Sequence, residues 1–265
     1  MKRLVLFLAV AWLTTVCALS QKKETRQVAD FSGIDASSVF DITVVRGNAE
    51  TLVIEADDEV MQYVRSEVRN GVLHLYLDNN RVKNIKTLKA SVVMKNLDKV
   101  HLSGTCKLTS NDTFTSESFE GECSGVSNMS INVNTGRLSI ETSGACKIQI
   151  KADVSGDADI NVSGTSKFNG ELKASNVKLS SSGAGKVDLT GSATSLKIDI
   201  SGTAKINAGN FTVKNAAVNS AGAGNVTVNV TDALTVNSSG TSSVYYKGSP
   251  TVTLNSSGAS KVKTI

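Results

Sequence analysis

The chain has 265 residues, of which 28 are basic and 24 acidic, so its formal net charge at pH 7 is +4. This near balance gives no support for nucleic acid binding, which requires a strongly basic surface. A chain of this length fits one or two domains, and its four cysteines and two histidines lack the close spacing of a zinc site.

The first 20 residues are predicted to be an export signal. A basic start is followed by an apolar run over residues 4–16, too short to favour a membrane span, and by a small-residue cleavage site at 18–20. No second apolar segment follows, so we expect an exported protein without a transmembrane segment, in the periplasm, at the outer membrane or secreted. Cys17 suggests a lipid anchor as an alternative, but Val16 stands where such sites need a small residue, so soluble export is favoured.

Residues 21–96 are predicted to form a β-rich N-terminal cap. Alternating apolar and polar residues predict strands in four stretches: 39–45, 51–56, 72–77 and 88–94. Residues 57–70 predict one short helix, because acidic residues open its first turn and Asn70-Gly71 is a good helix stop. A solenoid needs its first coil covered, and we expect this segment to cover it.

Residues 97–265 repeat one short phrase nine times. Its centre is Ser-Gly, followed by Ala or Thr, a small residue, usually Lys, and an aliphatic residue. The repeat glycines are 18 to 21 residues apart: Gly104, Gly125, Gly144, Gly164, Gly183, Gly202, Gly222, Gly240 and Gly258. A fixed period of this size with strand-type residues in each unit predicts a solenoid.

Apolar residues recur four positions before and four positions after each repeat glycine, with polar residues between them. Leu179 and Val187 flank Gly183 in this way, and Gly121 is the one exception in the first of these columns. The pattern predicts two short strands per unit, each with one buried face, on the two sides of a turn at Ser-Gly. The predicted fold class is therefore all-β: a right-handed parallel β-helix of about nine coils with an irregular N-terminal cap.

Three segments near the start of the chain, together with the serine-glycine coils, resemble a known family. The segments are Phe31–Ile34, Phe40–Val44 and Val53–Asp58. They are similar to the family called "putative autotransporter adhesin, head GIN domain". This resemblance implies an exported bacterial protein with a right-handed β-helix fold. The family has no established catalytic residues, so the resemblance implies none here.

Acidic residues and histidines are the candidate catalytic or metal-binding groups of the sequence. Asp153, Asp157 and Asp159 form part of a calcium-loop pattern, but the turn glycine and the closing glutamate are missing, so a solvated loop is favoured. His74 and His101 lie on polar faces of predicted strands and have no nucleophile as a partner. The sequence therefore predicts no catalytic residue, no metal site and no cofactor.

The cysteines of the repeat region, Cys106, Cys123 and Cys146, are interpreted as small buried apolar residues. Cys106 and Cys146 occupy equivalent positions two coils apart. Their separation of about 9.6 Å by strand spacing exceeds the reach of a disulfide.

One feature of the repeat has binding potential. We call it the lysine row, and its members stand three residues after repeat glycines: Lys107, Lys147, Lys167, Lys186 and Lys205. Stacked lysines could bind an acidic polysaccharide or the phosphates of a lipopolysaccharide. The favoured interpretation is simpler, because lysine also keeps a strand surface soluble and prevents it from stacking on other chains.

Two classes of function stay open from the sequence. The first, which we favour, is a non-catalytic exported structural or binding protein, adhesin-like, whose partner is an acidic glycan or another cell-surface component. The alternative is a polysaccharide lyase or hydrolase built on the same fold. That alternative requires one groove in which three carboxylates lie within reach of each other.

Overall fold

The computed structural model describes residues 21–79 and 82–265. The structure is 75% strand and 2% helix, and its strands form a β-solenoid of about nine turns with an irregular N-terminal region. This confirms the predicted fold class. The predicted export signal, its cleavage site and Cys17 lie outside the described residues.

The strands and the helix are numbered here in chain order. The N-terminal elements are β1 (Gln21–Arg26), β2 (Gly33–Ala36), β3 (Asp41–Arg46), β4 (Thr51–Asp57), α1 (Asp58–Met61), β5 (Val64–Arg69), β6 (Val72–Leu77), β7 (Leu88–Met94) and β8 (Lys99–Leu102). The remaining strands are β9 (Lys107–Gly125), β10 (Asn128–Gly144), β11 (Lys147–Val154), β12 (Asp157–Gly164), β13 (Lys167–Gly183), β14 (Lys186–Gly202), β15 (Lys205–Gly222), β16 (Asn225–Gly240), β17 (Ser243–Lys247), β18 (Thr251–Gly258) and β19 (Lys261–Thr264).

At the N-terminal end, the order of the strands in space differs from their order in the chain. Strand β2 pairs in parallel with both β6 and β8, and β3 pairs in parallel with both β7 and β9. Ser38 lies between β2 and β3 with a φ of 82°, and it stacks on the turn at Gly104. Residues 33–46 therefore already form a solenoid turn with serine in the place of glycine. One continuous sheet contains strands from both sides of residue 97. The division of the chain into cap and repeats at this residue stays a prediction.

Antiparallel strands cover the N-terminal end of the parallel stack. Strand β4 pairs with β7, β1 pairs with β4, and β5 pairs with β6, each in the antiparallel sense. The two outer strands are rich in charge: β1 reads QKKETR and β5 reads VRSEVR. Charged side chains on an edge strand oppose pairing with another chain.

The predicted helix is shorter in the structure than in the sequence-based prediction. Helix α1 contains four residues, and residues 64–69 form strand β5. Val64 and Val68 are four positions apart, which places them on one side of either a helix or a strand. Asn70 and Gly71 both have positive φ, 51° and 73°, so they form a two-residue hairpin turn into β6 rather than a helix stop.

Most coils consist of one long bent strand rather than two short strands as predicted. Strand β13 pairs with β14 in parallel almost without interruption, from Lys167 with Lys186 to Gly183 with Gly202. On the side away from the repeat glycine, the chain bends through bulges, such as the register shift after Asp188, without losing the ladder. The only regular break in each coil is therefore the turn that follows the glycine.

The predicted apolar columns form the core. Leu179, Ile198 and Val218 are fully buried at equivalent positions in successive coils, whereas Leu254 in the last described coil is 50% exposed. Gly121 interrupts this column, but side chains of adjacent coils fill the space. A β-carbon on Gly121 would lie 2.8 Å from Ile140 Cδ1. The polar positions between the columns are left on the outer face.

Candidate binding surfaces beside the turn

Each turn is held by the backbone of the coil before it. Gly183 has a φ of 98°, and a β-carbon at this position would lie 2.7 Å from the carbonyl oxygen of Gly164. That same oxygen accepts a hydrogen bond from the Ala184 N–H at 2.9 Å. Glycine is therefore required both for the backbone conformation and for the close approach of the coils. Repetition of this contact aligns the outer residues before and after the turn in straight columns.

The lysine row lies on the outer face just after the turn. Four members are exposed and are paired in register in consecutive coils: Lys147, Lys167, Lys186 and Lys205. Lys107 is exposed as well, but Asn128 occupies the coil between it and Lys147. The structure thus places four of the five predicted residues next to one another and separates Lys107 from them by one coil.

Few acidic groups neutralise the lysine row. Lys186 Nζ lies 3.2 Å from Asp188 Oδ2, and Lys107 Nζ lies 3.7 Å from Asp41 Oδ1. The other three lysines of the row form no ion pair within the described residues. Two unit charges at this strand spacing repel by about 1 kcal/mol in water, and salt screens part of that repulsion. An anionic ligand along the row would relieve the repulsion.

A second surface, which we call the polar groove, lies on the outer face just before the turn. It has a volume of about 840 Å³ and runs along seven coils, from Glu141 to Asn255. One column of its lining stands three residues before the repeat glycines; it starts at Glu141 and continues with Asn161, Ser180, Asp199, Asn219, Asn237 and Asn255. The six residues from Asn161 to Asn255 are paired in register in successive coils. No lysine or arginine lines the groove.

Amide side chains in the polar groove form a hydrogen-bonded ladder with one direction. Asn219 Nδ2 donates to Asp199 Oδ1 at 2.6 Å, Asn237 Nδ2 donates to Asn219 Oδ1 at 2.8 Å, and Asn255 Nδ2 donates to Asn237 Oδ1 at 3.0 Å. Each amide nitrogen carries a second N–H, which these bonds leave available. The ladder fixes the rotamers of the amides and presents a row of donors to a ligand.

Serine hydroxyls form the other edge of the polar groove. The serine before the repeat glycine donates to the backbone of the preceding coil in some coils, as Ser163 Oγ does to the Thr142 carbonyl. Within the described residues, however, Ser182, Ser201 and Ser239 form no hydrogen bond with the protein. The residue two positions after the glycine takes that role in several coils, as Ser166 Oγ donates to the Gly144 carbonyl at 3.3 Å. The three hydroxyls are therefore free to donate and accept.

The polar groove was missed in the sequence analysis. The signal was present, since Asn, Asp or Ser stands three residues before the repeat glycine in six successive coils. Alternation alone identifies such residues as solvent-facing. It does not show that the backbone bends around them to form a concave surface.

His74 and His101 both contact the side chain of Asp35, a residue that the sequence analysis did not identify. Asp35 lies between them, with Oδ2 3.2 Å from His74 Nδ1 and Oδ1 3.3 Å from His101 Nδ1. His101 also lies beside Glu122 in the next coil, with its Nε2 3.9 Å from Glu122 Oε2. Within the described residues, no hydroxyl or thiol forms a hydrogen bond with either histidine. The cluster therefore lacks the nucleophile–base pair of a hydrolase site.

The acidic segment of the partial calcium-loop pattern is mostly strand rather than loop. Asp153 lies near the end of β11, and Asp157 begins β12 after a short bend. Asp157 accepts a hydrogen bond from Asn176 Nδ2 at 2.8 Å, and Asp159 Oδ2 lies 3.8 Å from Lys178 Nζ. These carboxylates contact the next coil instead of converging on one point. In residues 21–79 and 82–265, no group of three or more His, Cys, Asp and Glu residues could hold a metal ion.

The three described cysteines are free and buried, as the sequence predicted. Burial raises the pKa of the Cys106 thiol to about 11, and it raises the pKa of the Cys123 thiol as well. Near neutral pH both groups are therefore thiols, which are poor nucleophiles. The three side chains instead pack in the core beside the turns.

Comparisons with known proteins identify relatives by family and by fold. A family model described as "Putative auto-transporter adhesin, head GIN domain" matches residues 30–157 and 140–250. No curated protein matches the chain. Among the described residues, no helix is both long enough and apolar enough to cross a membrane.

Several solved structures share the architecture. A putative adhesin from Parabacteroides distasonis superposes with a TM-score of 0.70 at 21% identity, covering 93% of this chain and 97% of that one. A putative lipid binding protein from the same species gives 0.68 at 17% identity, with coverage of 92% and 96%. A putative adhesin from Parabacteroides merdae gives 0.65 at 20% identity, with the same coverage. At these identities the likeness concerns the fold.

Proposed function

The chain belongs to the family described as putative auto-transporter adhesin, head GIN domain, and on that premise we propose that it is an exported, non-catalytic, adhesin-like protein that binds acidic glycans through its lysine row. It acts in the periplasm, at the outer membrane or outside the cell. Its ligand is a polyanion whose charges repeat along the axis of the solenoid. Each lysine makes one weak contact, and affinity arises from the number of contacts.

The observation that carries this proposal is the in-register placement of four lysines in consecutive coils. Three of the four form no ion pair within the described residues, so their charge is available to a ligand. A row at strand spacing spans about 14 Å from Lys147 to Lys205. That length suits an extended chain that carries several carboxylates, sulfates or phosphates better than it suits a small anion.

The distribution of carboxylates favours binding over catalysis. Glu141 and Asp199 are the two carboxylates that line the polar groove, and they are separated by three strand spacings, about 14 Å. Paired carboxylates of glycoside hydrolases lie about 5 to 9.5 Å apart. The groove also lacks the third carboxylate that the enzymatic alternative requires. We therefore favour the binding protein over the lyase or hydrolase.

Changing Lys147, Lys167, Lys186 and Lys205 together to Gln is expected to abolish binding to acidic glycans. The parent protein should bind polygalacturonate in isothermal titration calorimetry at about 0.01 M salt and lose most of that affinity at about 0.15 M, because exposed charges are screened. The quadruple variant should keep its thermal midpoint within a few degrees, since the side chains that change are exposed.

A matched control removes the same charge elsewhere on the solenoid. Four other exposed lysines serve for this purpose: Lys173, Lys178, Lys197 and Lys214. If the lysine row is the binding site, the net charge of the protein contributes little to binding. Replacement of these four lysines by Gln should therefore leave at least half of the affinity for polygalacturonate. Equal loss in both variants would show an unspecific charge effect and contradict the proposal. So would a parent protein that binds no carboxylated, sulfated or phosphorylated glycan at low salt.

A further inference from the structure

The chemistry of the polar groove differs from that of the lysine row. Its lining is mainly amide, hydroxyl and backbone groups, with the carboxylates of Glu141 and Asp199, and no cationic side chain is among them. The two carboxylates on the groove would repel a polyanion rather than attract it. The surface therefore does not fit the acidic ligand proposed for the lysine row.

The polar groove also has no large, exposed apolar side chain that could surround an acyl chain. Val162, Ile200 and Ala221 are its only lining residues with apolar side chains, and the first two are buried. A lipid chain needs apolar walls, because a polar wall would lose its hydrogen bonds with water without compensation. A ligand that replaces water here must instead supply both donors and acceptors at many points.

Hydroxyl groups of a carbohydrate meet that requirement. The amide ladder leaves one N–H free on each of Asn219, Asn237 and Asn255, and the opposite edge of the groove offers free serine hydroxyls. The six in-register positions from Asn161 to Asn255 span about 24 Å at strand spacing. One sugar unit of an extended β-1,4-linked chain is slightly longer than one strand spacing of about 4.8 Å. Successive sugars of such a chain can therefore form hydrogen bonds with successive coils.

We propose that the polar groove is a second binding site, which takes an extended, uncharged β-1,4-linked glycan. The hydroxyls on the side of each sugar that faces the groove replace water on an amide or a serine, and about six sugar units fill the six in-register positions. The site has no aromatic side chain in its lining, so the contacts are hydrogen bonds alone and single-site affinity is low. Because no charge pair is involved, binding depends little on salt.

The test uses three uncharged hexasaccharides with β-1,4 linkages: cellohexaose, mannohexaose and chitohexaose. At millimolar concentration and about 0.15 M salt, at least one should shift the side-chain amide NMR signals of Asn219 and Asn237. Lowering the salt to about 0.01 M should change its dissociation constant by less than about twofold. If none of the three shifts these amide signals, the proposal is wrong.

Two phenylalanine variants of exposed residues in one coil locate the site. Ser201→Phe fills the groove and should weaken hexasaccharide binding at least about tenfold, which corresponds to about 1.4 kcal/mol. Thr194→Phe lies outside the groove in the same coil and should leave the affinity unchanged. Retained binding in Ser201→Phe, or equal loss in both variants, would overturn the assignment.

The quadruple lysine variant separates the two binding sites. It should lose acidic glycan binding and keep hexasaccharide binding, whereas Ser201→Phe should show the reverse pattern. Loss of hexasaccharide binding in the quadruple variant would contradict an independent groove site. Loss of acidic glycan binding in Ser201→Phe would instead count against the lysine row as the acidic site.

Discussion

Replacement of Leu179 by Asp is expected to destabilise the protein by about 3–5 kcal/mol. Leu179 is fully buried and stacks between Ile160 and Ile198 in the adjacent coils. Aspartate at this position would lose the apolar contacts and would have to be buried without a partner or protonated. Since domains have a total stability of about 5–15 kcal/mol, such a loss is a large part of the total. Urea unfolding monitored by circular dichroism measures it.

Two further variants show whether burial causes the effect. Leu179→Ala should cost about 2–5 kcal/mol through the loss of buried apolar groups and the cavity that they leave, less than Leu179→Asp in the same measurement. Lys178→Gln, one residue away on the outer face, should change the unfolding free energy by less than about 0.5 kcal/mol. A similar loss for Lys178→Gln and Leu179→Asp would show that the assignment of inner and outer faces is wrong.

Replacement of Gly183 by Val should be the second most damaging of the changes considered. The φ of 98° costs a β-branched residue about 1–3 kcal/mol, and the close contact with the Gly164 carbonyl adds to that cost. The contact lies between two coils, so its loss also weakens the coupling of neighbouring repeats. The thermal midpoint should fall by several degrees.

The adjacent residue provides the control for this turn prediction. Ala184 is exposed, and its N–H already donates to the Gly164 carbonyl, so Ala184→Val adds side-chain volume without changing the backbone conformation. Its effect on the thermal midpoint should be clearly smaller than that of Gly183→Val. Midpoints that fall equally in both variants would remove the argument that the glycine conformation is essential.

The repeat region could be predicted from the sequence because its burial pattern is local and periodic. Residues such as Leu179 and Ile198 recur at a fixed distance from a glycine, and that distance alone assigns the inner face. The lysine row followed from the same counting. Its exposure and register are as the sequence suggests, while its binding role stays a proposal.

The N-terminal region could not be predicted in detail, because its pairings are not local. Ser38 adopts the turn conformation of a repeat glycine, and nothing in a serine identifies this. The spacing of Val64 and Val68 fits both a helix and a strand, and only the pairing of β5 with β6 decides between them. Tertiary contacts override local propensity in both places.

The polar groove depends on the curvature of the stacked coils. Asn219 and Asn237 stand among the polar residues between the apolar columns, but the amide ladder requires the coils to be stacked in register with the same rotamer in each. The concave shape arises where the chain approaches the turn. Neither feature can be seen in the alternation of a single strand.

The measurement that most directly tests the proposed function is the dependence of affinity on ligand length. Oligogalacturonates of increasing length should be titrated into the protein at low salt by calorimetry. If the ligand lies along the lysine row, affinity should rise with each unit until the ligand spans the distance from Lys147 to Lys205, about 14 Å at strand spacing, and should then level off. Equal affinity for the shortest and the longest ligands would show that a single local site binds them, and would contradict an extended site on the solenoid.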